Sequence, residues 1–487
     1  MTSFREIRAS RLADEIGTLH KQADLAVALC YPSPYHVGMS SLGFQTIYRG
    51  LHALPGCTAE RAFLPDDQAE THRLSEGIFT YESGRPVGAF SVVAFSLASE
   101  LELAGLVTCL DLAGIPTLAA ERADHSRTFP LVVLGGPITF SNPVPAGPFA
   151  DVIVMGEAEG LVPVLVNGLQ EQPDRETLLA DLARRPGFYV PSLHGQTPPP
   201  IEFADDNVLP AYSQIITPHT ELAGMFLIEA TRGCSRGCAY CVMRRSAGHG
   251  MRTIAPDRLL SLIPANARRV GLVGAAVTDH PALPEILCAL VDAGREVGVS
   301  SLRADRLDDE LVGLLARGGY RTLTTAADGA SQRLRDQVDR HTQIEDLLRA
   351  ARLCRDHNMA LLKLYVLIGL PGETSADIDE LGSFALELAA IAPKLSLTLA
   401  PFVSKRNTPL DQQPFEDIAS LDDKLAILRR RLRSRVRLGG DAPKWAWVEY
   451  RLAQGGFAEG LAAAQAARAG GGFAAWKRAL AGRSAGP

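Results

Sequence analysis

Two series of short apolar runs, each alternating with amphipathic stretches and parted by a proline-rich interval, constrain the fold of this chain most tightly. In residues 24–160 the runs are DLAVALC, AERAFLP, FSVVAFS, PLVVLGG and ADVIVMGE. Between the third and fourth lies ELELAGLVTCLDLAG, whose apolar residues recur at the spacings of three and four that a helix requires. Such alternation predicts an α/β domain, a doubly wound parallel sheet, and five strands suit a flavodoxin-like order. From 225 to 402 the alternation resumes with MFLIEA, RVGLVGA, VGVSSL, TLTTAA, LLKLYVLIG and LSLTLAPF. Six strand–helix repeats predict a partial (β/α)6 barrel of TIM type, open on one side.

The interval between the two series, PSLHGQTPPPIEFADDNVLPAYSQIITPHTE, has the composition of a surface linker. After 415 the sequence reads as a helical tail. In LDDKLAILRRRLRSRVRL, Leu421, Leu425, Leu428, Leu432 and Val436 form one face, and the six arginines between 429 and 437 take the other as a solvated basic surface. The expected division is a Rossmann/flavodoxin-type domain at 1–167, a linker at 168–222, the barrel at 223–414 and a helical region at 415–487.

A chain of 487 residues exceeds one hydrophobic core, and 46% hydrophobic with 21% charged residues is ordinary for a globular protein. A net charge of -6 argues against a general nucleic-acid binder. The opening MTSFREIRASRLADEIG alternates charges, as neither a leader peptide nor an anchor does. No apolar run approaches the roughly 18 residues that span a bilayer. The cysteines lack the spacing of a disulfide scaffold, so a reducing, cytoplasmic setting and no membrane partner are expected.

Ligands of parallel sheets sit beyond the carboxyl ends of the strands. In the first series those ends carry Ser33 to Gly43 (with His36), Ser96 to Glu100, Gly135-Gly136-Pro137 and Gly156-Glu157, whose small residues admit a bulky ligand. In the second series the stretch TRGCSRGCAYCVM follows the first strand directly. Its Cys234, Cys238 and Cys241 are spaced x3 then x2. Structural zinc wants four ligands, and His249 is the nearest candidate to complete such a site. Three thiolates on an iron–sulfur cubane leave one iron open to a chelating molecule. Gly233 and Gly237 let the chain wrap a cluster, and Tyr240 offers a ring to an adenine.

The Cys-x3-Cys-x2-Cys pattern, with an aromatic before the third cysteine and a partial barrel around it, resembles the radical S-adenosylmethionine (SAM) superfamily. The resemblance implies a [4Fe-4S] cluster on Cys234, Cys238 and Cys241 whose open iron chelates SAM. It also implies reductive cleavage of SAM to a 5'-deoxyadenosyl radical and an electron donor such as flavodoxin or ferredoxin. YPSPYHVGMSSLGFQTIYRGL, VVLGGPITFSNP and FADVIVMGEAEG look like the cobalamin-binding-type N-terminal domain of one branch, and SSLRADRL, YVLIGLPGET and LTLAPFVSKRNTPL like its later barrel strands. On that likeness Ser301 and Arg303 face the polar groups of SAM, and Asp328 stands where relatives often carry glutamate. The second strand ends in LVGAAVTDHP rather than Gly-Gly-Glu, leaving Gly274 for backbone contacts. No Asp-x-His-x-x-Gly occurs, so cobalamin would be held by shape and backbone around Ser96, Gly135, Gly136 and Gly156.

Cys30, Cys57 and Cys109 open a further reading, a second cluster as in methylthiotransferases, although Cys109 lies within a helix as a small hydrophobe does. Cys288 and Cys354 read as packing residues, and His280 as a loop residue. The expected function is radical SAM chemistry, cobalamin-dependent methyl transfer or a related reaction, on a substrate the sequence does not name. The alternatives are a cobalamin-independent enzyme whose N-terminal domain positions substrate, and a non-catalytic iron–sulfur or cobalamin sensor.

Overall fold

Strands of parallel sheets covered on both faces read as continuous runs of β-branched and aliphatic residues, and the five N-terminal runs fold accordingly. The computed structural model describes residues 4–67, 77–123, 129–172, 174–243, 250–300 and 302–482. It divides into two compact units, Met1–Met225 together with Arg451–Pro487, and Phe226–Tyr450. In the first unit β1 (Leu25–Pro34), β2 (Cys57–Leu64), β3 (Val92–Ser96), β4 (Leu131–Gly135) and β5 (Val152–Val154) are parallel, in the order β2-β1-β3-β4-β5. This is the flavodoxin-like order. An antiparallel β6 (Phe188–Tyr189) extends the edge beyond β5.

Residues 168–222, expected as a linker, are built into this unit. They contain the helix Arg175–Leu182 and β6, and they bury Leu178, Leu182, Phe188, Tyr189, Val190, Leu209 and Ile215. Their prolines and polar residues disguise an apolar set that alternates with neither helical nor strand period. The tail also divides. The helix Phe457–Arg468 packs against the helix Glu102–Leu112 and the turn Val144–Phe149 of the first unit. Asn142 fastens it, its Nδ2 donating to the carbonyls of Ala453 and Gly455 at 2.9 and 2.8 Å.

In the second unit all six expected strands form: β7 (Met225–Glu229), β10 (Arg269–Val273), β11 (Glu296–Val299), β12 (Thr322–Ala326), β13 (Leu361–Ile368) and β14 (Leu395–Pro401). A short antiparallel pair, β8 (Thr231–Arg232) with β9 (Arg252–Thr253), follows β7. The barrel strands are hydrogen-bonded as two sheets, β11-β10-β7 and β12-β13-β14-β15. The last of these, β15 (Arg437–Gly440), is a seventh strand inside the stretch read as helical. Its RLGG lacks any apolar alternation, and its position depends on an absent side chain. A Cβ on Gly440, at φ +132°, would lie 1.8 Å from the Leu399 carbonyl oxygen. The preceding helix Ile418–Leu432 buries Leu421, Leu425, Leu428 and Leu432 as the spacing predicts. Among the described residues no helix is long and apolar enough to cross a membrane.

A buried charge cluster ties the N-terminal helix to the first sheet. Arg61 of β2 is fully buried, with Nη2 2.7 Å from Glu15 Oε2 and Nε 2.6 Å from Glu82 Oε1. Burial alone would raise the Glu15 pKa, but the guanidinium and its hydrogen bonds hold it below the usual carboxylate value. A depressed carboxylate contributes stability above its unfolded pKa, and that contribution is lost as pH falls through the folded value. Arg61→Leu, which leaves two carboxylates buried without their cation, is expected to cost about 3–5 kcal/mol. Urea denaturation should show this loss, together with a weaker dependence on pH below about 4 than in the parent.

Candidate active site at the carboxyl ends of the barrel strands

The loop after β7 is held by its neighbours at several points. Ala239 N donates to Val338 O at 3.0 Å, and Leu410 N donates to Ala239 O at 3.2 Å. Ser235 hydrogen-bonds Asp279, beyond β10. Arg236 pairs with Asp305, beyond β11, at 2.8 Å. The Tyr240 hydroxyl donates to Asp328, beyond β12, at 2.7 Å. One loop therefore touches the carboxyl-end loops of three successive strands. Cys234, Cys238 and Cys241 lie on it, Cys238 buried and the other two half-buried.

The thiols interact electrostatically with one another, and burial raises the pKa of Cys234 and pushes Cys241 up to about 11. Both shifts favour the protonated thiol, so loading a metal centre on Cys234 and Cys241 must release protons. Among the described residues no three Cys, His, Asp or Glu side chains converge as the ligands of a single ion would. A cubane asks for a different arrangement, one thiolate on each of three irons, and three sulfurs on one loop suit it. The Arg236 amide donates to the Cys234 sulfur at 3.4 Å, and Arg340 donates to Cys238. His249 lies outside the described residues, as does Ser301.

Of the residues expected around SAM, the structure brings Tyr240 and Asp328 together. Asp328 is also ion-paired with Arg340, Oδ2 to Nε 2.9 Å. Burial opposes the charge on Arg340, but Asp328, Tyr240 and Cys238 together more than offset it and keep the guanidinium cationic. Gly274 closes β10 beside Thr231, where a Cβ would sit 2.2 Å from the threonine Oγ1. That hydroxyl is buried with no hydrogen-bond partner among the described residues, an orphaned polar atom of the kind a ligand satisfies.

Arg303 departs from expectation. It is buried, and its guanidinium is committed to two carboxylates, Nη1 to Asp279 Oδ1 at 2.7 Å and Nε to Asp305 Oδ1 at 3.1 Å. Those are the carboxylates that hold Ser235 and Arg236. Arg303 therefore braces the cysteine loop rather than presenting a free fork to a ligand. Asp279, Asp305, Arg236 and Arg340 were missed in the sequence, although Arg236 stands between the first two cysteines, Asp279 in VTDHP and Asp305 in RADR beside Arg303. His280 is a satisfied buried residue, with Nε2 2.8 Å from Ile254 O and Nδ1 accepting from Ala282 N at 3.1 Å.

In the first unit, Ser96, Gly135, Gly136 and Gly156 do lie at the carboxyl ends of β3, β4 and β5. Two of the glycines answer to the chain itself. A Cβ on Gly136 would meet Leu97 O at 2.6 Å, and one on Gly156 would meet Glu202 O at 2.2 Å. Gly135 has only ordinary contacts, and Ser96 is half-buried. His36 is exposed. A cavity of about 870 Å³ lies at the opposite edge, lined by Leu25, Val92, Leu131 and Asp151 near the strands' amino ends. Cys30, Cys57 and Cys109 do not assemble as one site. Cys57 stands abreast of Leu25 on β1, five residues from Cys30, about 16 Å at the rise of a strand.

Residues 43–191 match the family described as radical SAM proteins, N-terminal, and residues 228–385 match the radical SAM superfamily. The chain belongs to the radical SAM superfamily. Membership brings a [4Fe-4S] cluster, SAM and the status of an enzyme. The uncharacterized protein MJ0966 of Methanocaldococcus jannaschii is 25% identical over 396 residues, 80% of each chain. Ribosomal protein uS12 methylthiotransferase RimO of Desulfosudis oleivorans is 28% identical over 36% of this chain and 42% of its own. The cobalamin-dependent SAM radical enzyme OxsB, solved with aqua-cobalamin bound, shares the fold. Its TM-score is 0.52 at 13% identity, over 74% of this chain and 52% of that one. This radical SAM chain thus spans about half the length of OxsB and less than half of RimO.

The brace makes a local prediction. Arg303→Ala should speed amide hydrogen exchange at residues 233–239 at least tenfold while leaving β13 and β14 unchanged, as read by mass spectrometry.

Proposed function

We propose that this radical SAM enzyme holds its cluster on Cys234, Cys238 and Cys241 and takes up cobalamin in its N-terminal domain, for methyl transfer or related radical chemistry. The observation that carries the first part is the loop after β7, three thiols long and tied to the loops after β10, β11 and β12. When bound, the cluster supplies the electron that cleaves SAM to methionine and a 5'-deoxyadenosyl radical. The chain's own residues orient and shield. Tyr240 and Asp328 form one wall for SAM, and Gly274 with the orphaned Thr231 hydroxyl a second. Arg340 holds a positive charge against Cys238, which favours an added electron nearby. Arg303 positions the loop through Asp279 and Asp305. A flavodoxin- or ferredoxin-type donor would deliver the electron, and a reducing, cytoplasmic setting suits the eight free thiols.

Cobalamin would supply a transferable methyl group, and the fold shared with OxsB supports its uptake. The filled space at Gly136 and Gly156 favours a second reading, in which the N-terminal domain positions substrate without a corrin. Equilibrium dialysis against hydroxocobalamin separates the two, stoichiometric retention excluding the second. For the common core, anaerobic reconstitution with SAM and dithionite should yield 5'-deoxyadenosine. The protein with Cys234→Ala, Cys238→Ala and Cys241→Ala should retain no iron and yield none. Iron retained by that triple variant would sink the assignment of the ligands.

A further inference from the structure

The sheet β12-β13-β14-β15 has two unlike faces. On β13, Leu362, Leu364, Val366 and Ile368 are buried, on the side where the helices Ile344–Asp356 and Ser375–Ile391 pack on β13 and β14. Lys363, Tyr365 and Leu367 alternate with them and so face the barrel interior. The register fixes their neighbours. Thr324, Lys363, Ser396 and Arg437 stand abreast in one row, and Ala326, Tyr365, Thr398 and Gly439 in the next row toward the carboxyl ends.

This inner wall is polar and positively charged. Lys363 Nζ lies 2.8 Å from the Tyr365 hydroxyl and 4.7 Å from the ring centre. Tyr365 keeps 39% of its surface exposed. Arg437 is exposed, and neither it nor Lys363 has a carboxylate partner among the described residues. Their strands are two apart, which sets the backbones about 10 Å from each other. The wall also adjoins the cysteine loop. The Tyr365 carbonyl accepts from the amides of Ala327 and Asp328 at 2.9 and 3.3 Å, and Asp328 in turn receives the Tyr240 hydroxyl.

We propose that this wall binds the substrate, and that the substrate is a hydroxyl-bearing anion such as a sugar phosphate or a sugar acid. Two cations without carboxylate partners, standing in one row of one face, attract a negative group. The hydroxyls of Thr324, Tyr365, Ser396 and Thr398 each offer a donor and acceptor pair to a hydroxylated body. The inference rests on the radical SAM reading above, since it places the bound body beside Asp328 and Tyr240.

Titration calorimetry of the full reconstituted chain tests it, with ribose 5-phosphate, gluconate and uncharged ribose as probes. Substrate-independent 5'-deoxyadenosine formation is measured on the same samples. Saturable binding of at least one anion is expected, at least tenfold tighter than ribose, and the better probe tells phosphate from carboxylate. Lys363→Met and Arg437→Met should each weaken it at least tenfold while 5'-deoxyadenosine formation stays within twofold of the parent. Lys363→Arg should restore most of the affinity. Ribose binding as tightly as the anions, unchanged affinity in both Met variants, or no saturable binding of either anion overturns the proposal. A parent that forms no 5'-deoxyadenosine breaks the enzymatic reading instead, and the calorimetry still decides the wall.

Discussion

A buried guanidinium between two carboxylates sets the geometry on which the rest of the barrel site depends. Removing charged groups from water is costly, and a buried pair commonly returns little net stability. The arrangement of Asp279, Arg303 and Asp305 therefore makes better sense as a device for uniqueness than for strength. Each carboxylate also holds one residue of the segment between Cys234 and Cys238. A displaced loop would strand desolvated charge, so alternative conformations of the thiols are penalised heavily even where the native one is stabilised only modestly. A second buried cluster, around Arg61, plays the equivalent part for the N-terminal sheet.

What could be read from the sequence follows the same physics. Eleven strands announced themselves as short apolar runs bounded by turn residues, most of them largely aliphatic, with polar residues alternating in β13 where one face lines the barrel interior. β6 and β15 escaped because each is short and lies at a sheet edge, and β15 owes its place to Gly440 fitting beside Leu399 rather than to any pattern of its own. The three cysteines and Tyr240 were legible since their spacing is local. Arg303 was not. Its position beyond β11 was evident, but its partner Asp279 comes from the loop after another strand, and pairing across strands leaves no periodic trace.

Glycine was the least reliable guide. Four small residues at strand ends looked like an invitation to a ligand, yet Gly136 and Gly156 are required by the backbones of Leu97 and Glu202. A missing side chain shows only that something comes close. Gly274 is the instructive contrast, because the atom it makes room for, the Thr231 hydroxyl, is itself left without a partner.

The first unit is discontinuous in sequence, drawing on residues before and after the second. During synthesis its flavodoxin-like sheet leaves the ribosome first, but the helix Phe457–Arg468 that covers Glu102–Leu112 emerges only after the whole barrel. Domains generally fold as units in the order they are made. Here the N-terminal sheet must wait through more than two hundred residues of translation with an apolar surface uncovered, a waiting period in which a chaperone, or a ligand already seated, would have most to protect.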